Sequence, residues 1–206
     1  MKDKELIEAF ESSEINLLVE LRMGKGFDEK EYEKMIKAIT DCADEWESRS
    51  SIPGDIVYTI VELYDELYNF SLIYKGEESV RIRKAAETTK MLIQRCTKVM
   101  GELEAEKAKV IAKLNEKINE NGNFFEKLQN GKGMDEQQFE TIYHELNEHI
   151  DEIYSWDEMP KVLVKIFINL RELDLFVHPY KDEFKQPEEA DKIYDAYERI
   201  FRLIFG

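Results

Sequence analysis

Apolar residues recur with helical spacing over most of the chain. An interval near 3.6 residues places apolar side chains on one face of an α-helix, and that face can then be buried against other helices. Glycine and proline are few, which also favours helix over strand. The sequence therefore predicts an all-α fold. The predicted helical segments are 3–22, 29–47, 53–74, 77–96, 135–156, 160–177 and 187–205.

The segment Leu21–Glu33 recurs 107 positions later as Leu128–Glu140, and both have the features of a connector between two helices. Glycine ends a helix well because it adopts the left-handed conformation that closes the last turn without a Cβ penalty. An aspartate then caps the next helix by accepting hydrogen bonds from its first backbone N–H groups. The predicted stops are Gly24 or Gly26 and Gly131 or Gly133, and the predicted caps are Asp28 and Asp135.

Two further interactions are expected at each connector. Glu31 and Gln138 stand at the third helical position, where they would complete a capping box with the aspartate. Phe27 with Tyr32, and Met134 with Phe139, have the spacing of a hydrophobic staple. The rival interpretation is a phosphate-binding loop, but the earlier glycine and the following Ser or Thr of that motif are missing.

The correspondence extends well beyond the connectors. Aligned without a gap at the 107-residue offset, residues 21–64 and 128–171 share 13 identities in 44 positions, and Pro53 matches Pro160. Internal repeats of this kind are typical of stacked copies of one supersecondary unit. We therefore expect two tandem, divergent four-helix repeats, residues 1–100 and 101–206, stacked into an elongated helical bundle. Strong helix formers over 97–119 suggest a continuous helix between them, whereas Asn121, Gly122 and Asn123 predict an interruption.

Composition narrows the classes of function. The formal net charge of −16 argues against nucleic-acid binding, because phosphates require a basic surface. No apolar run approaches the roughly 20 residues that span a bilayer, and no secretory signal is predicted at the N-terminus. Cys42 and Cys96 are too few for a disulfide framework, and Cys42 falls on an apolar stripe. We expect a cytoplasmic protein that does not bind membranes.

The charge distribution differs between the two halves. From Asp135 to Pro160 there are nine acidic residues and no Lys or Arg, whereas the corresponding stretch from Asp28 to Pro53 has eight acidic and four basic residues. Uncompensated like charge slightly destabilises a helix and favours a basic surface opposite it, in this molecule or in a partner. The basic flank of the fourth predicted helix could supply it internally. The predicted partner-binding residues are Glu140, Glu145, Glu148, Asp151, Glu152, Asp157 and Glu158.

No motif indicates a catalytic, cofactor-binding or metal site, and we predict none of the three. His144 and His149 are five residues apart, so their side chains point about 140° away from each other on a helix, and neither HExxH nor its inverted form is present. His178 precedes a proline at a predicted helix end. The chain has three histidines in all, which leaves little general acid–base chemistry, although carboxylate catalysis stays open.

Three hypotheses of function follow. The first is a protein–protein interaction module that binds a basic protein, in its most specific form an inhibitor such as an immunity protein or antitoxin whose carboxylates replace phosphates on a nucleic-acid-handling enzyme. The alternative is a helical-repeat scaffold or adaptor that binds through an apolar groove between the repeats. The third is a metal-dependent or carboxylate-dependent enzyme.

Overall fold

The computed structural model describes residues 2–120 and 122–206, and within them the protein is predominantly α-helical with two three-residue strands. The chain divides into two compact units, Met1–Gly101 and Glu102–Gly206. The N-terminal unit contains α1 Lys2–Arg22, α2 Glu29–Trp46, β1 Ser51–Pro53, a 3-10 turn Gly54–Ile56, α3 Val57–Ile73 and α4 Gly76–Cys96. The C-terminal unit contains α5 Ala105–Asn119, α6 Phe124–Gln129, α7 Glu136–Tyr154, β2 Glu158–Pro160, α8 Lys161–Arg171, α9 Asp174–Asp182 and α10 Pro187–Phe205.

Each unit has its own buried apolar positions, contributed by the stripes that the sequence predicts. Trp46 at the end of α2 is fully buried, and its indole N–H donates to Asp3 of α1 at 3.0 Å. Arg49 also donates to Asp3, at 2.8 Å, and this hydrogen bond lowers the pKa of the Asp3 carboxyl. In the C-terminal unit Phe124, Phe139 and Phe167 are almost completely buried. The predicted all-α class is confirmed.

Both connectors have the predicted backbone geometry. Gly24 and Gly131 adopt φ of 69° and 67°, and the next residue's N–H bonds to the carbonyl five residues back, as in a Schellman motif. Asp28 accepts from two backbone N–H groups of α2, and Asp135 accepts from the Gln138 N–H. The predicted caps are therefore confirmed. The ring centroids of the staple residues Phe27 and Tyr32 lie 5.1 Å apart.

The reciprocal half of the capping box is not the main use of either side chain. Glu31 accepts from Lys34 at 2.6 Å. The side-chain amide of Gln138 donates to the carbonyl of Ile118, in the last turn of α5, and to that of Gly122, just after α5. Its side-chain oxygen accepts from Lys127. Gln138 is 5% exposed, so these bonds satisfy buried polar groups at the point where α5 ends.

A tyrosine hydroxyl fastens each connector to the helix that precedes it. In the N-terminal unit the Tyr74 hydroxyl donates to the Leu21 carbonyl at 2.8 Å and accepts from the Gly26 N–H at 3.4 Å. In the C-terminal unit Tyr180 donates to the Leu128 carbonyl and accepts from the Gly133 N–H, both at 3.0 Å. The two connectors thus have the same partners for the same backbone groups.

A glutamate from the last helix of each unit completes the arrangement. Glu78 of α4 accepts from the Phe27 N–H, and Glu189 of α10 accepts from the Met134 N–H. The two tyrosines are 106 residues apart and the two glutamates 111 apart, whereas the connectors differ by 107. These four side chains hold the two connectors in the same way, although all four lie outside the aligned ranges 21–64 and 128–171.

The expected continuous helix over 97–119 is wrong. α4 ends at Cys96 and α5 begins at Ala105. The Thr97 hydroxyl, which is buried, donates to the Ile93 carbonyl at 2.9 Å, and Gly101 adopts a left-handed φ of 78°. Charge pairs on a helix surface contribute only a few tenths of a kcal/mol each, which is too little to carry the helix through this turn.

Of the three helices predicted to begin with a proline, α10 begins at Pro187 as expected and the other two do not. Pro53 and Pro160 were expected in the first helical turn, but both have extended ψ, 135° and 131°, and close the short strands β1 and β2. The predicted helix 160–177 divides at Glu172 and Leu173 into α8 and α9. Pro179 then lies inside α9, so His178 is on a helix and not at its end.

The interruption predicted at residues 121–123 is present on the part that is described, since Gly122 has a φ of 98° and Asn123 caps α6. Asn121 lies outside the described residues. This break and the one between α8 and α9 give the C-terminal unit four short helices, α5, α6, α8 and α9, of 15, 6, 11 and 9 residues.

Replacing Tyr180 by phenylalanine should destabilise the protein by about 1–3 kcal/mol, because the buried Leu128 carbonyl and Gly133 N–H would lose their partner. The urea midpoint measured by circular dichroism reports the loss. Tyr194→Phe is the control, since Tyr194 is 44% exposed. Equal midpoints for the two variants would contradict the fastening role of the hydroxyl.

The two glycine stops form a matched pair for a second test. Alanine at either position is strained by the left-handed backbone. A Cβ at Gly131 would in addition approach the Phe184 ring to 2.8 Å, whereas a Cβ at Gly24 would meet nothing within 4 Å. Gly131→Ala should therefore be less stable than Gly24→Ala by roughly 1–3 kcal/mol, measured by thermal unfolding. A larger loss of stability in Gly24→Ala than in Gly131→Ala would contradict the expected clash with Phe184.

Candidate protein-binding surfaces

The predicted partner-binding carboxylates lie on α7 and in the segment that leads to β2. Their electrostatic surroundings change along the helix. In the first half of α7, cations from other elements of the unit neutralise the acidic residues. In the second half and beyond, carboxylates are exposed to solvent. The predicted residues in the first group are Glu140 and Glu145, and those in the second are Glu148, Asp151, Glu152, Asp157 and Glu158.

Glu140 forms a two-point ion pair with Arg199 of α10, in which Nη2 lies 2.9 Å from Oε2. The hydrogen bond from Arg199 lowers the pKa of the Glu140 carboxyl. Such fork-to-fork pairs are the strongest form of the Arg–carboxylate interaction. The guanidinium also lies over two rings of α7, with Cζ 5.2 Å from the Phe139 centroid and 4.4 Å from the Tyr143 centroid. Glu140 is thus engaged within its own unit.

Other cations serve the remaining acids of this half. Lys192 lies 2.7 Å from Glu136, Lys127 lies 2.8 Å from Asp135, and Lys113 lies 3.4 Å from Glu145. The compensating charges were absent from the α7 sequence because they come from α5, α6 and α10. The Glu145 side chain is 13% exposed, so it is poorly placed to meet a partner.

The second half of α7 carries the accessible negative charge. We call Glu148, Asp151, Glu152, Asp157 and Glu158 the α7 acidic patch; all five residues are exposed. Among residues 2–120 and 122–206, none of these carboxylates forms an ion pair with a lysine or arginine. Their neighbours are histidines: His144 lies 3.4 Å from Glu148, and His149 lies 3.2 Å from Glu152.

The histidines do not assemble a metal centre in the part of the chain that is described. No group of three or more His, Cys, Asp or Glu side chains there has the arrangement to hold a metal ion. His149 contacts Glu145 and Glu152 on its own helix, at 3.2 Å each, while the His144 side chain is 74% exposed. The five-residue spacing sends the two rings to different surroundings, as helical geometry requires.

The thiols are buried. Cys42 and Cys96 are each 1% exposed and form no disulfide. Burial raises the pKa of the Cys42 thiol to about 12, so at neutral pH it is protonated and not a nucleophile. Cys42 therefore packs as a small apolar side chain, which is the role that its position on the α2 stripe predicts.

One carboxyl has a strongly shifted pKa. Burial raises the pKa of Glu14 on α1 from 4.5 to about 7, with a further contribution from Glu66 and an opposing one from Arg22. Shifted carboxyls are frequent in active sites. Arg22 and Glu66 instead pair with each other at 3.0 Å, and no cysteine or histidine is among the groups that perturb Glu14. The shift thus reflects partial burial at the packed face of α1.

A groove of about 510 Å³ lies between α2 and α4 in the N-terminal unit. Phe27, Tyr32, Ile36 and Ala85 supply apolar lining, and charged side chains from both helices line the remainder. Sequence reasoning did not find it, because the residues come from two helices about 50 positions apart. We call it the α2/α4 groove.

The basic flank of α4 acts mainly within its own unit. Arg81 pairs with Glu29 at 2.7 Å and with Glu78 at 3.0 Å, and Arg95 pairs with Asp44. Arg83 lies over the Tyr68 ring, with Cζ 5.4 Å from the centroid. The basic flank therefore balances acidic residues of α2, whereas the cations that neutralise the first half of α7 come from α5, α6 and α10. Along the described chain, no helix is long and apolar enough to cross a bilayer.

Replacing Glu14 by glutamine should flatten the pH dependence of stability between pH 4.5 and 7. The folded state holds the Glu14 proton up to about pH 7, whereas the unfolded chain releases it near 4.5, so folding loses free energy as the pH rises through this window. At pH 8 we expect Glu14→Gln to stabilise the folded protein by on the order of 1 kcal/mol. A fully buried group would contribute ~1.4 kcal/mol for each unit of its pKa shift, and solvent that still reaches Glu14 reduces the effect.

Urea unfolding at a series of pH values measures this effect. Glu8→Gln, at an exposed position of the same helix, is the control and should keep the wild-type slope. A Glu14→Gln variant with an unchanged slope would show that Glu14 is not the titrating group.

Comparison with protein-family models, with curated proteins and with solved structures found no match. Function must therefore be inferred from the side chains themselves. Two features of the described surface stand out, namely the α7 acidic patch and the α2/α4 groove.

Proposed function

We propose that this protein is a cytoplasmic interaction module that binds a basic protein through the α7 acidic patch. The observation that carries the proposal is the distribution of ion pairs along α7. Lys127, Lys192, Lys113 and Arg199 neutralise the first half of the helix. Among the described residues no patch carboxylate forms an ion pair with a lysine or arginine, and Lys107 contacts the patch through the Glu158 backbone carbonyl, at 3.2 Å. The net charge of −16 adds a long-range attraction to any basic partner.

The geometry favours a protein ligand over a small one. Asp151 and Glu152 follow Glu148 by three and four residues, so each lies beside Glu148 on the surface of α7, and Asp157 and Glu158 extend the negative charge beyond its end. Spread carboxylates of this kind match spread lysines and arginines on a partner. All five side chains are exposed, whereas the site of a small ligand usually encloses most of its ligand.

The most specific form of the proposal is an inhibitor of the immunity-protein or antitoxin class. A basic enzyme that handles nucleic acid carries cations where it contacts phosphates. A protein that places carboxylates against those cations blocks the same surface and associates rapidly, because opposite charges steer the encounter. The acidic patch and the overall negative charge fit that role.

We also propose that the two units are divergent copies of one four-helix unit. Support comes from the 13 identities, from the equivalent caps Asp28 and Asp135, and from the tyrosine and glutamate that hold each connector. α1 would correspond to α5 with α6, and α3 to α8 with α9, each broken once in the C-terminal unit. The divergence left the balanced charge on α2 and the acidic patch on α7.

Reversing the patch should abolish most of the binding. We expect Glu148→Lys/Asp151→Lys/Glu152→Lys to weaken the complex with a purified basic partner by about tenfold or more, with the larger effect on the association rate. The partner is first captured on the immobilised protein and identified, and the affinity is then measured by calorimetry. Wild-type binding should weaken as salt is added, because exposed charges are screened.

The matched control is Glu188→Lys/Asp191→Lys/Asp195→Lys, which changes three exposed acids of α10 in the same unit and gives the same net charge. It should alter the affinity by less than about threefold. Equal weakening by both triple variants would mean that net charge alone matters, and salt-insensitive binding or an acidic partner would refute the proposal.

A further inference from the structure

We infer that the α2/α4 groove accepts the side chain of an arginine from a partner protein, as a second recognition site in addition to the α7 acidic patch. The basis is a contrast between the two units. The corresponding place in the C-terminal unit, between α7 and α10, is occupied by the chain's own Arg199. In the N-terminal unit one ring and the carboxylate remain, as Tyr32 and Glu33, and Thr88 stands in place of the arginine.

Shared contacts establish which residues correspond. Glu78 and Glu189 each accept from the backbone N–H that follows the second connector glycine. Arg81 pairs with Glu78 and with Glu29, the first residue of α2. Lys192 pairs in the same way with Glu189 and with Glu136, the first residue of α7. α4 therefore aligns with α10 at an offset of 111 residues, while α2 aligns with α7 at 107.

The buried positions agree with this alignment. Ile82 and Ile193 are both 0% exposed, and Ala85 and Ala196 are 3% and 2% exposed. One turn further along, position 88 of α4 corresponds to position 199 of α10. Thr88 therefore stands where the C-terminal unit has Arg199.

Arg199 shows what this place binds. Its guanidinium stacks against Phe139 and Tyr143 and pairs with Glu140 through both nitrogens. An aromatic face and a carboxylate are the two groups that guanidinium recognises best, through cation–π contact and a planar two-point hydrogen bond.

The N-terminal unit retains most of this arrangement. Tyr32 stands at the position of Phe139, Glu33 at that of Glu140, and Ile36 at that of Tyr143. The Tyr32 hydroxyl donates to the Ala85 carbonyl at 3.3 Å, which fixes the ring against α4. Thr88 is too short to cross the groove, and its hydroxyl donates to the Lys84 carbonyl of its own helix at 3.0 Å. The open volume of about 510 Å³ is the result.

The charged groups around the groove leave one carboxylate and one ammonium group without an ion pair in the described chain. Arg81 is engaged by Glu29 and Glu78, and Lys37 by Asp41 at 2.6 Å. Glu33 is exposed and belongs to none of the ion pairs found in the described chain. Lys84, which also lines the groove, likewise forms no ion pair in the described chain. An anionic ligand beside Lys84 is therefore the alternative occupant. The groove is assigned to a cation because Glu140, the counterpart of Glu33, binds a guanidinium.

The site is tested with short peptides, since an isolated arginine side chain should suffice. The probe is a blocked Gly-Arg-Gly peptide, and its controls are the same peptide with lysine, with neutral citrulline or with glutamate, and inorganic phosphate. NMR titration of the full chain should show saturable shifts of the Ile36 and Ala85 methyl groups, with a dissociation constant on the order of millimolar. Only the arginine peptide should produce them fully.

Variants locate the binding. Thr88→Arg should remove the shifts, because its own guanidinium would fill the groove and pair with Glu33, and Glu33→Gln should weaken binding about fivefold or more. The α7 triple reversal should leave the peptide affinity unchanged, so failure of the acidic-patch proposal and failure of this one are distinguishable. Arg199→Thr should open a second site, with new shifts at Ala196.

Binding of the glutamate peptide or phosphate with no response to arginine would overturn the inference in favour of an anion site. Equal shifts with the arginine and citrulline peptides would also overturn it, because the positive charge would then not be recognised. Circular dichroism spectra that match the wild type show that the variants fold.

Discussion

The structure depends on how the two glycine connectors satisfy their backbone groups. A chain that leaves one helix and enters the next within six residues exposes carbonyls and N–H groups that neither helix can bond. Here a tyrosine hydroxyl bridges the last turn of the first helix and the second glycine, and a glutamate accepts the next N–H. Because these side chains come from about 50 residues later, the connector also fixes the position of the second helical pair. Both proposed binding surfaces include the helix that follows a connector, which is α2 for the α2/α4 groove and α7 for the α7 acidic patch.

The same device produced different surfaces in the two units. In the C-terminal unit, Arg199 crosses from α10 to α7, stacks on two rings and neutralises Glu140. In the N-terminal unit, Thr88 leaves the equivalent space open. Under the proposed correspondence, Thr88 leaves the Tyr32 ring and the Glu33 carboxylate without the arginine that contacts Phe139 and Glu140 in the C-terminal unit. In the proposed complex a partner's guanidinium would contact Tyr32 and Glu33 as Arg199 contacts Phe139 and Glu140, at the additional cost of association.

Local chemistry explains which expectations held. The glycine stops, aspartate caps and apolar stripes depend on residues within a few positions, and the structure has them where the sequence predicts. The helix expected over 97–119 does not form. Helix propensity contributes little free energy per residue, and the structure instead has a buried Thr97 hydroxyl that bonds to the Ile93 carbonyl and a left-handed Gly101. The placement of Pro53 and Pro160 in first helical turns was also wrong, because a proline fits the end of an extended strand as well as the first turn of a helix.

The sequence by itself determined the helical class, the connectors and the excess of acidic residues, because each is a property of neighbouring positions. Only the tertiary structure decided which charges are accessible. Lys113, Lys127, Lys192 and Arg199 reach α7 from other helices, so the count of nine acids without a base could not show that the first half is neutralised. The α2/α4 groove was equally hidden, because Tyr32 and Thr88 are 56 residues apart and become neighbours only when two helices pack.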